Sequence, residues 1–329
     1  MKKIIILSAL TVSLGGAAQA QVFSYNNADL LIGFRSSSAS KDLVVDIGPE
    51  STYATAGSRI TLSGTYFTSS QLNYCFGSTW DSVNFSVFGD DGQYNNIYVT
   101  SPRSANLVKG TAWVPDSYYG QGNTISKIEG VASGALVESY VLAAGANNTA
   151  TAVAFINTLN ASGALSYTKA VQSASGALNN VTGQVIYTGN FRNTFQGNVE
   201  GTTPTGFQSG GVPVITDLYE MDAYATSSSL VGYFTFLPSG TFTFTPASFS
   251  ISQPSITGIT SSAGGSTVSF NSASGVNYSL LSTTNAITTP LSAWNIVSTN
   301  VVTGNGSVQS LVDPSGNTNT TCFYTIVAY

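Results

Sequence analysis

The chain of 329 residues is 42% hydrophobic and only 8% charged, with 10 basic and 15 acidic side chains and a formal net charge of −5. This balance argues against nucleic acid as a partner, because proteins that bind the phosphate backbone concentrate lysine and arginine. The sequence contains no histidine, which excludes Ser-His-Asp and Cys-His catalytic arrangements and removes the commonest zinc ligand.

Residues 1–20 have the pattern of a signal peptide. Lys2 and Lys3 precede the short apolar stretch Ile4–Leu14, and an A-x-A cleavage site ends at Ala20. We therefore expect the mature protein to begin at Gln21 and to be exported to the extracellular space, the cell surface or the periplasm. No later apolar run reaches the roughly 18 residues that a membrane-spanning helix requires, so we expect no transmembrane span in the mature chain.

Two hairpins are predicted near the start of the mature chain. The apolar runs Leu30–Phe34 and Leu43–Ile47 flank a serine-rich turn, a pattern typical of a β-hairpin. A second pair of strands, Ser82–Phe88 and Asn96–Thr100, flanks an Asp-Gly turn that supplies the positive φ angles of a tight connection. Between the hairpins we predict a strand over Arg59–Thr68 and, over Gln71–Trp80, a short helix or turn with Leu72, Phe76 and Trp80 pointing inward.

The pattern changes in the middle of the chain, where apolar residues recur at helical spacing. The sequence predicts helices over Ile125–Ala144, Thr149–Leu159 and Tyr167–Leu178, packed on a sheet. Strand patterns then resume, and phenylalanines alternate in a hairpin around a Pro-Ser-Gly turn. The predicted strands are Gly183–Tyr187, Val212–Tyr224, Leu230–Leu237 and Gly240–Phe249.

The last part of the chain reads as a second, smaller β-domain. Residues 251–255 contain Pro254 and are predicted to be a linker between a β-rich domain (21–250) and the C-terminal part (256–329). Short strands separated by Gly, Asn and Pro indicate a sandwich like those of immunoglobulin or fibronectin type III domains. The predicted fold class is therefore mainly β: a sandwich-like N-terminal domain with a helical insertion around 125–180, and a small C-terminal sandwich. The C-terminal strands are Ile256–Thr260, Ser266–Asn271, Asn277–Ser282, Trp294–Val302, Ser307–Val312 and Cys322–Val327.

Several stretches resemble a known family. Asp29–Arg35, Leu43–Gly48 and Phe76–Trp80 are similar to the start of exported bacterial proteins of the PEP-CTERM type. The segments around Asp217–Glu220 and Gly240–Phe244 resemble the end of the same module, so the resemblance covers most of residues 21–250. It implies an extracellular or envelope role connected with exopolysaccharide, and it supplies no catalytic residues.

The C-terminal part departs from that family. Its members end in a Pro-Glu-Pro sequence, a membrane-spanning segment and a basic tail. This chain has Tyr278–Ser282, Leu291–Trp294 and Phe323–Tyr324 instead, which look like a C-terminal β-module of other exported bacterial proteins.

Two patterns could support catalysis. Ser166 and Lys169 satisfy S-x-x-K, but Ser38 and Lys41 do so too and no S-D-N or K-T-G partner exists. We therefore interpret Ser166 as the start of a surface helix. A glycosidase needs two carboxylates roughly 5–9 Å apart. Asp217, Glu220 and Asp222 are clustered in the sequence, but Asp217 and Glu220 are expected on opposite faces of a strand.

Metal and disulfide chemistry are weakly indicated. Asp90, Asp91 and Asn95 offer oxygen ligands beside Gly92, yet they lack the spacing of an EF-hand loop, and a solvated hairpin tip is the favoured interpretation. We predict no metal site and no cofactor. The two cysteines, Cys75 and Cys322, are interpreted as separately buried thiols, although an oxidising compartment would permit a bridge.

A group of aromatic residues is the remaining binding candidate. Trp113, Tyr118 and Tyr119 lie in a sequence typical of a loop, and exposed flat rings suit contact with sugars or proteins. The alternative is that these rings belong to the core.

The leading functional hypothesis is a non-enzymatic exported protein that acts as a structural or adhesive component of the cell surface or extracellular matrix. Exopolysaccharide or other envelope and matrix proteins are the expected partners. The first alternative is a carbohydrate-binding protein that uses Trp113, Tyr118 and Tyr119. The second is a glycosidase-like enzyme that uses Asp217 with another carboxylate.

Overall fold

A computed structural model describes most of the chain after the predicted signal peptide, which lies outside the described residues together with Asn95 and the predicted strand Gly183–Tyr187. The described residues are 23–93, 96–104, 107, 109, 112–113, 118–138, 152–158, 166–172, 199–209, 212–249, 251–297, 301–316 and 321–329.

Ten strands of the N-terminal part form one antiparallel sheet. Their order across the sheet is β3-β10-β9-β8-β5-β4-β1-β2-β6, and the short β7 pairs with β4. The three predicted hairpins are confirmed as β1–β2, β4–β5 and β9–β10. The strands are β1 (Asp29–Arg35), β2 (Lys41–Pro49), β3 (Ile60–Thr61), β4 (Asn84–Asp90), β5 (Asn96–Pro102), β6 (Val153–Asn157), β7 (Gly201–Thr202), β8 (Val214–Asp222), β9 (Ser229–Phe236) and β10 (Phe242–Pro246).

Four helices of the described residues pack on the two faces of this sheet. Tyr53 and Leu72, from the first two helices, pack into the core on one face, whereas Ile128 and Val171, from the last two, pack into the core on the other. The helical insertion is therefore confirmed, and the predicted ends of its two helices, residues 139–144 and 173–178, lie outside the described residues. The helices are α1 (Glu50–Ala54), α2 (Ser69–Phe76), α3 (Tyr118–Glu138) and α4 (Tyr167–Gln172).

The large sheet curls over on itself. Four strands separate β1 from β10 in the sheet order, so in a flat sheet these strands would lie about 24 Å apart at the usual spacing of neighbouring strands. Instead, the ring centroids of Phe34 on β1 and Phe242 on β10 are 5.8 Å apart. Phe34 also packs against Phe67, Phe85 and Phe236. The phenylalanines thus fill the inside of a sandwich-like curl.

Two predictions of secondary structure are wrong. Of Arg59–Thr68, only Ile60 and Thr61 form a strand. Thr149–Leu159, predicted as a helix, contains the strand β6, which pairs with β2 along Val153–Asn157. The run of Val, Phe and Ile in β6 fits a strand buried on both faces, and a short apolar run cannot be assigned to helix or strand by periodicity alone.

The C-terminal part is a small sandwich of two antiparallel sheets, as predicted. Strands β11, β12 and β16 form one sheet, and β13 pairs with β17 on one side and with β14 and β15 on the other. Val268, Phe270 and Leu311 from the first sheet pack against Tyr278 and Leu280 from the second. The strands are β11 (Ile256–Ser262), β12 (Gly265–Asn271), β13 (Asn277–Thr283), β14 (Asn295–Ile296), β15 (Val302–Thr303), β16 (Val308–Asp313) and β17 (Phe323–Ala328).

An apolar layer joins the two parts of the chain. Ile215 and Tyr233 of the large sheet pack against Tyr329, and Ile251 contacts both this layer and the core of the sandwich. Arg59 donates a hydrogen bond from Nη1 to the backbone oxygen of Gly275. That residues 251–255 separate two domains stays a prediction. Among the described residues, no helix combines the length and hydropathy needed to cross a bilayer.

Replacing Phe34 by Ala should lower the free energy of unfolding by about 3–5 kcal/mol, because a fully buried phenyl ring is lost where the curl closes. Urea unfolding followed by tryptophan fluorescence measures the change. Tyr224→Ala, at a position that is 74% exposed, is the control and should stay within about 0.5 kcal/mol of the wild type. A similar cost for both variants would contradict the folded-over arrangement.

Candidate functional site

A cleft of about 300 Å³ lies beside the start of β8. One member of each of two buried ion pairs lines this cleft. Proline rings fix the backbone φ angle, and three prolines make part of this wall rigid. Arg103 and Glu200 are its charged lining residues. The cleft is lined by Pro102, Arg103, Ser104, Glu200, Gly201, Thr202, Pro204, Val212, Pro213, Val214 and Ile215.

The first ion pair fixes Arg103. Its Nε lies 3.0 and 3.1 Å from the two carboxylate oxygens of Asp217, and its Nη2 lies 2.7 Å from Asp217 Oδ1. The guanidinium carbon is 4.5 Å from the ring centroid of Tyr233. A fork of this kind is the strongest geometry for an arginine–carboxylate pair, so Asp217, which is fully buried, serves as the anchor of Arg103.

The second ion pair belongs to a larger buried network. Arg35 donates from Nε to Glu200 Oε1 at 2.7 Å and from Nη2 to Oε2 at 2.5 Å. The hydroxyl of Tyr167 donates to the same Oε1 at 2.8 Å and lies 2.7 Å from Ser86 Oγ. All four residues are at most 5% exposed. Each carboxylate oxygen of Glu200 thus has a donor, which offsets the cost of burying the charge.

A third buried carboxylate caps a helix. Asp42 accepts hydrogen bonds from the backbone N–H of Thr168 at 2.7 Å and from its hydroxyl at 2.6 Å, which satisfies donors in the first turn of α4. Ser166 lies just before α4, and its Oγ accepts from the N–H of Lys169 at 3.1 Å. Ser166 is fully buried, so it caps the helix from the inside, and the prediction of a surface position is wrong.

Three further carboxylates lie together where β1, β2 and β4 run side by side. Asp29, Asp46 and Asp90 are 4%, 7% and 2% exposed. Each lies two residues along its strand from a side chain of the core beneath α3, and strand side chains two apart share a face. We call these three residues the acidic cluster. The neighbouring core residues are Leu31, Val44 and Phe88.

Burial dominates the electrostatics of the acidic cluster. It raises the pKa of Asp46 to about 7, with a further contribution from the charge and hydrogen bonding of Asp29. Burial also raises the pKa of Asp90 to about 6, helped by the charges of Glu129 and Asp91. The pKa of Tyr25 is raised by burial and by the charges of Asp90 and Asp29. Asp90 Oδ2 and the Tyr25 hydroxyl are buried without a hydrogen-bond partner.

Asp90 and Asp91, candidate metal ligands interpreted as a hairpin tip, shape the turn between β4 and β5. Asp90 Oδ1 accepts from the N–H of Gly92 at 2.7 Å, and Asp91 Oδ1 accepts from the N–H of Gln93 at 2.9 Å. Asn95 lies outside the described residues. Within the part of the chain that the structure describes, no three His, Cys, Asp or Glu side chains converge in a way that could hold a metal ion.

Trp113, one of the three residues of the candidate aromatic platform, is buried. Trp113 is only 7% exposed, and its indole Nε1 donates to the backbone oxygen of Thr100 at 3.1 Å. Of the two interpretations of Trp113, the core position is correct and the place in an exposed platform is wrong, because this side chain packs in the core beneath α3. Tyr118 and Tyr119 begin α3, and their side chains lie outside what the structure describes, so their part in binding stays a prediction.

The remaining candidates are Glu220 and the two cysteines. Glu220 Oε1 accepts from Asn96 Nδ2 at 2.9 Å and from the Tyr98 hydroxyl at 3.0 Å. Cys75 and Cys322 are free thiols, and burial raises the pKa of Cys75 to about 12. A protonated, half-buried thiol is a poor nucleophile.

Sequence reasoning missed Arg35, Arg103 and Glu200 and did not consider Asp46 as a buried acid. One signal was available, because Asp46 interrupts the apolar run Leu43–Ile47. A charged residue inside a strand that is buried on both faces must be paired, protonated or desolvated at a cost. The partners themselves are far away in the chain and carry no local pattern.

The fold and these sites define the class of protein: an antiparallel β-protein with a curled ten-stranded sheet and a small sandwich, in which buried acids pair with arginines, cap a helix or have a raised pKa. No protein-family model, curated protein or solved structure matches the chain. The resemblance to PEP-CTERM-type proteins thus stays a prediction.

Replacing Glu200 by Ala should lower the free energy of unfolding by about 3–5 kcal/mol, because it leaves the buried guanidinium of Arg35 without a counter-charge. The double variant Arg35→Met/Glu200→Leu should recover most of this loss, since neither charge is then buried. Urea unfolding measures both. Exposed ion pairs contribute less than about 1 kcal/mol to stability. If Glu200→Ala lowers the free energy of unfolding by no more than this, the Arg35–Glu200 pair is accessible to solvent.

The protein should become less stable as the pH rises from about 4 to about 7. Asp46 and Asp90 have folded-state pKa values of about 7 and about 6, above the ordinary value of 3.8. The folded state therefore binds more protons than the unfolded state in this window, and the resulting stabilisation disappears as the pH passes the folded pKa. For Asp46 the shift from 3.8 to about 7 corresponds to a loss on the order of 4 kcal/mol, at about 1.4 kcal/mol per pKa unit.

Urea unfolding at a series of pH values measures this slope. Asp46→Asn should reduce it and raise stability at the alkaline end, because the amide needs no proton. Asp222→Asn is the matched control at a half-exposed turn, where the carboxylate accepts from the N–H of Tyr224. An unchanged slope in Asp46→Asn would show that this carboxylate is ionised in the folded protein.

Proposed function

We propose that the chain is a non-enzymatic exported protein and that its C-terminal sandwich makes adhesive or structural contacts at the cell surface or in the extracellular matrix. The observation that carries the proposal is the surface of this sandwich. Residues 251–329 contain one charged side chain, Asp313, and it is 1% exposed. The described surface of the sandwich therefore presents no charged side chain.

Apolar side chains are exposed on this uncharged surface. Seven of the ten large hydrophobic residues that are well exposed in the described chain lie in the sandwich. Exposed apolar patches on soluble proteins mark contact surfaces, and the absence of charge favours a neutral partner. The seven residues are Ile256, Ile259, Ile287, Leu291, Val308, Val312 and Phe323.

Two of these residues define the face that we assign to matrix contacts. The register of β12 and β16 places Val308 opposite Asn271 and Val312 opposite Thr267, on the outer side of the sheet, whereas Val268 and its neighbours point into the core. Val308 is 56% exposed and Val312 is 46% exposed. This face combines apolar groups with neutral hydroxyl and amide groups, a chemistry that suits a neutral glycan or an uncharged protein surface.

The N-terminal part has the properties of a rigid support. Its carboxylates Asp217 and Glu200 are anchored by arginines, and Asp42 caps a helix. These engagements hold the side chains in structural roles, which supports a non-enzymatic function. The alternative is carbohydrate binding through the aromatic group Trp113, Tyr118 and Tyr119, of which Tyr118 and Tyr119 remain candidates because Trp113 is buried.

The test is retention of the full-length mature protein in the matrix fraction of the cells that make it. Val308→Lys/Val312→Lys should release most of the protein into the medium, because two charges would have to be desolvated at the contact. Tyr224→Lys adds a charge to the N-terminal part and is the control that should stay bound. Turnover of a polysaccharide or peptide by the purified protein, abolished by one point mutation, would overturn the proposal.

A further inference from the structure

Strand β11 has a free edge that lacks the usual protection against pairing with other strands. One edge of β11 pairs with β12, and the other pairs with no strand among the described residues. All seven residues of β11 are exposed, and none is charged or proline. A register shift between Ile256 and Gly258 interrupts only its beginning. Natural proteins usually protect such edges with charges, prolines or covering elements, because an open edge pairs with other strands.

β11 also carries core-type side chains that no other described element covers. Its register places Ile259 opposite Val268 and Ile256 opposite Phe270. The two β12 residues are fully buried in the sandwich core, yet Ile259 is 51% exposed and Ile256 is 37% exposed. The isoleucines thus occupy inner positions of the sheet without the facing layer that their neighbours have.

The facing sheet stops short of β11. Its edge strand β17 reaches the first sheet at Tyr324, whose hydroxyl donates to Asp313 Oδ2 at 3.1 Å. Asp313 lies directly opposite Ser266 in the pair of β16 and β12. The second sheet therefore covers β12 and β16, and β11 extends beyond it. The result is an open step formed by the free edge of β11 and its two isoleucines.

We propose that a second copy of this chain occupies the step, with β11 of one copy paired antiparallel to β11 of the other across a two-fold axis at Ile259. Ile259 is the central residue of Ile256–Ser262, so antiparallel pairing about it places the two Ile259 side chains next to each other. The contact uses the same patch on both copies, as a two-fold interface requires. The two three-stranded sheets then form one continuous sheet of six strands.

The charge distribution favours a second copy as the occupant. The sandwich exposes no charged side chain in its described residues, since Asp313 is buried. Two copies can therefore approach through this module without repulsion, and a charged partner finds no counter-charge. The inference rests on the proposed role of the sandwich as a contact module and names its partner.

The test is the molar mass of the full-length mature protein by light scattering across a range of concentrations. The wild type should reach twice the monomer mass as the concentration rises. Ile259→Lys should remain monomeric, because two like charges would meet at the axis. Ile287→Lys, at a loop position that is 94% exposed, is the control that should still dimerise. A wild type that is monomeric throughout, or a dimer that survives Ile259→Lys, overturns the inference.

A cross-linking experiment tests the register and does not depend on a charged variant folding. In a Cys75→Ala/Cys322→Ala background, Ile259→Cys should form a disulfide-linked dimer on mild oxidation. Ile256→Cys should not, because pairing about Ile259 places it opposite Ser262. Disulfide cross-linking of Ile256→Cys without cross-linking of Ile259→Cys would indicate a different register and overturn the inference. Assemblies larger than a dimer would overturn it as well. Matrix retention of a protein that stays monomeric would leave the proposed function standing and remove only the dimer.

Discussion

The structure depends on the burial of β1 on both of its faces. Ile32 and Phe34 point into the curl, Leu31 points towards α3, and every residue of the strand is buried. The curl exists because Phe34 can reach phenylalanines on strands far away in the sheet order. Once the sheet folds over, one face is closed by its own strands and the other is left for the helices. The positions of α3 and α4 follow from this division.

The same burial determines how the charged residues are used. β1 begins with Asp29 and ends with Arg35, and both are buried because the whole strand is. At the Arg35 end, Glu200 supplies the opposite charge. At the Asp29 end the neighbours are other acids, and the pKa values of Asp46 and Asp90 rise. The cost of burying a charge is therefore met in two ways along one strand: by an ion pair at the Arg35 end and by raised pKa values of neighbouring acids at the Asp29 end.

The parts of the fold that the sequence predicted well are those whose evidence is local. The hairpin of β9 and β10 and the strands of the sandwich show alternation and turn residues within a few positions. The ion pair of Arg35 with Glu200 joins residues 165 positions apart, and no local pattern records it. Trp113 shows the same limit, since its sequence is typical of a loop while its environment is set by α3, which follows it. In both cases, contacts with residues elsewhere in the chain determine the partner or the burial of the side chain.

The two parts of the chain treat their sheet edges differently. The large sheet ends on one side in β3, which has two residues, and on the other in β6, whose side chains are buried in the cores on both faces of the sheet. A very short edge strand is one way to prevent pairing with other chains. β11 has seven residues, and the sandwich around it exposes no charged side chain among its described residues. Because the large sheet shows that this chain can protect an edge, the open edge of β11 is best explained as a surface that a partner covers.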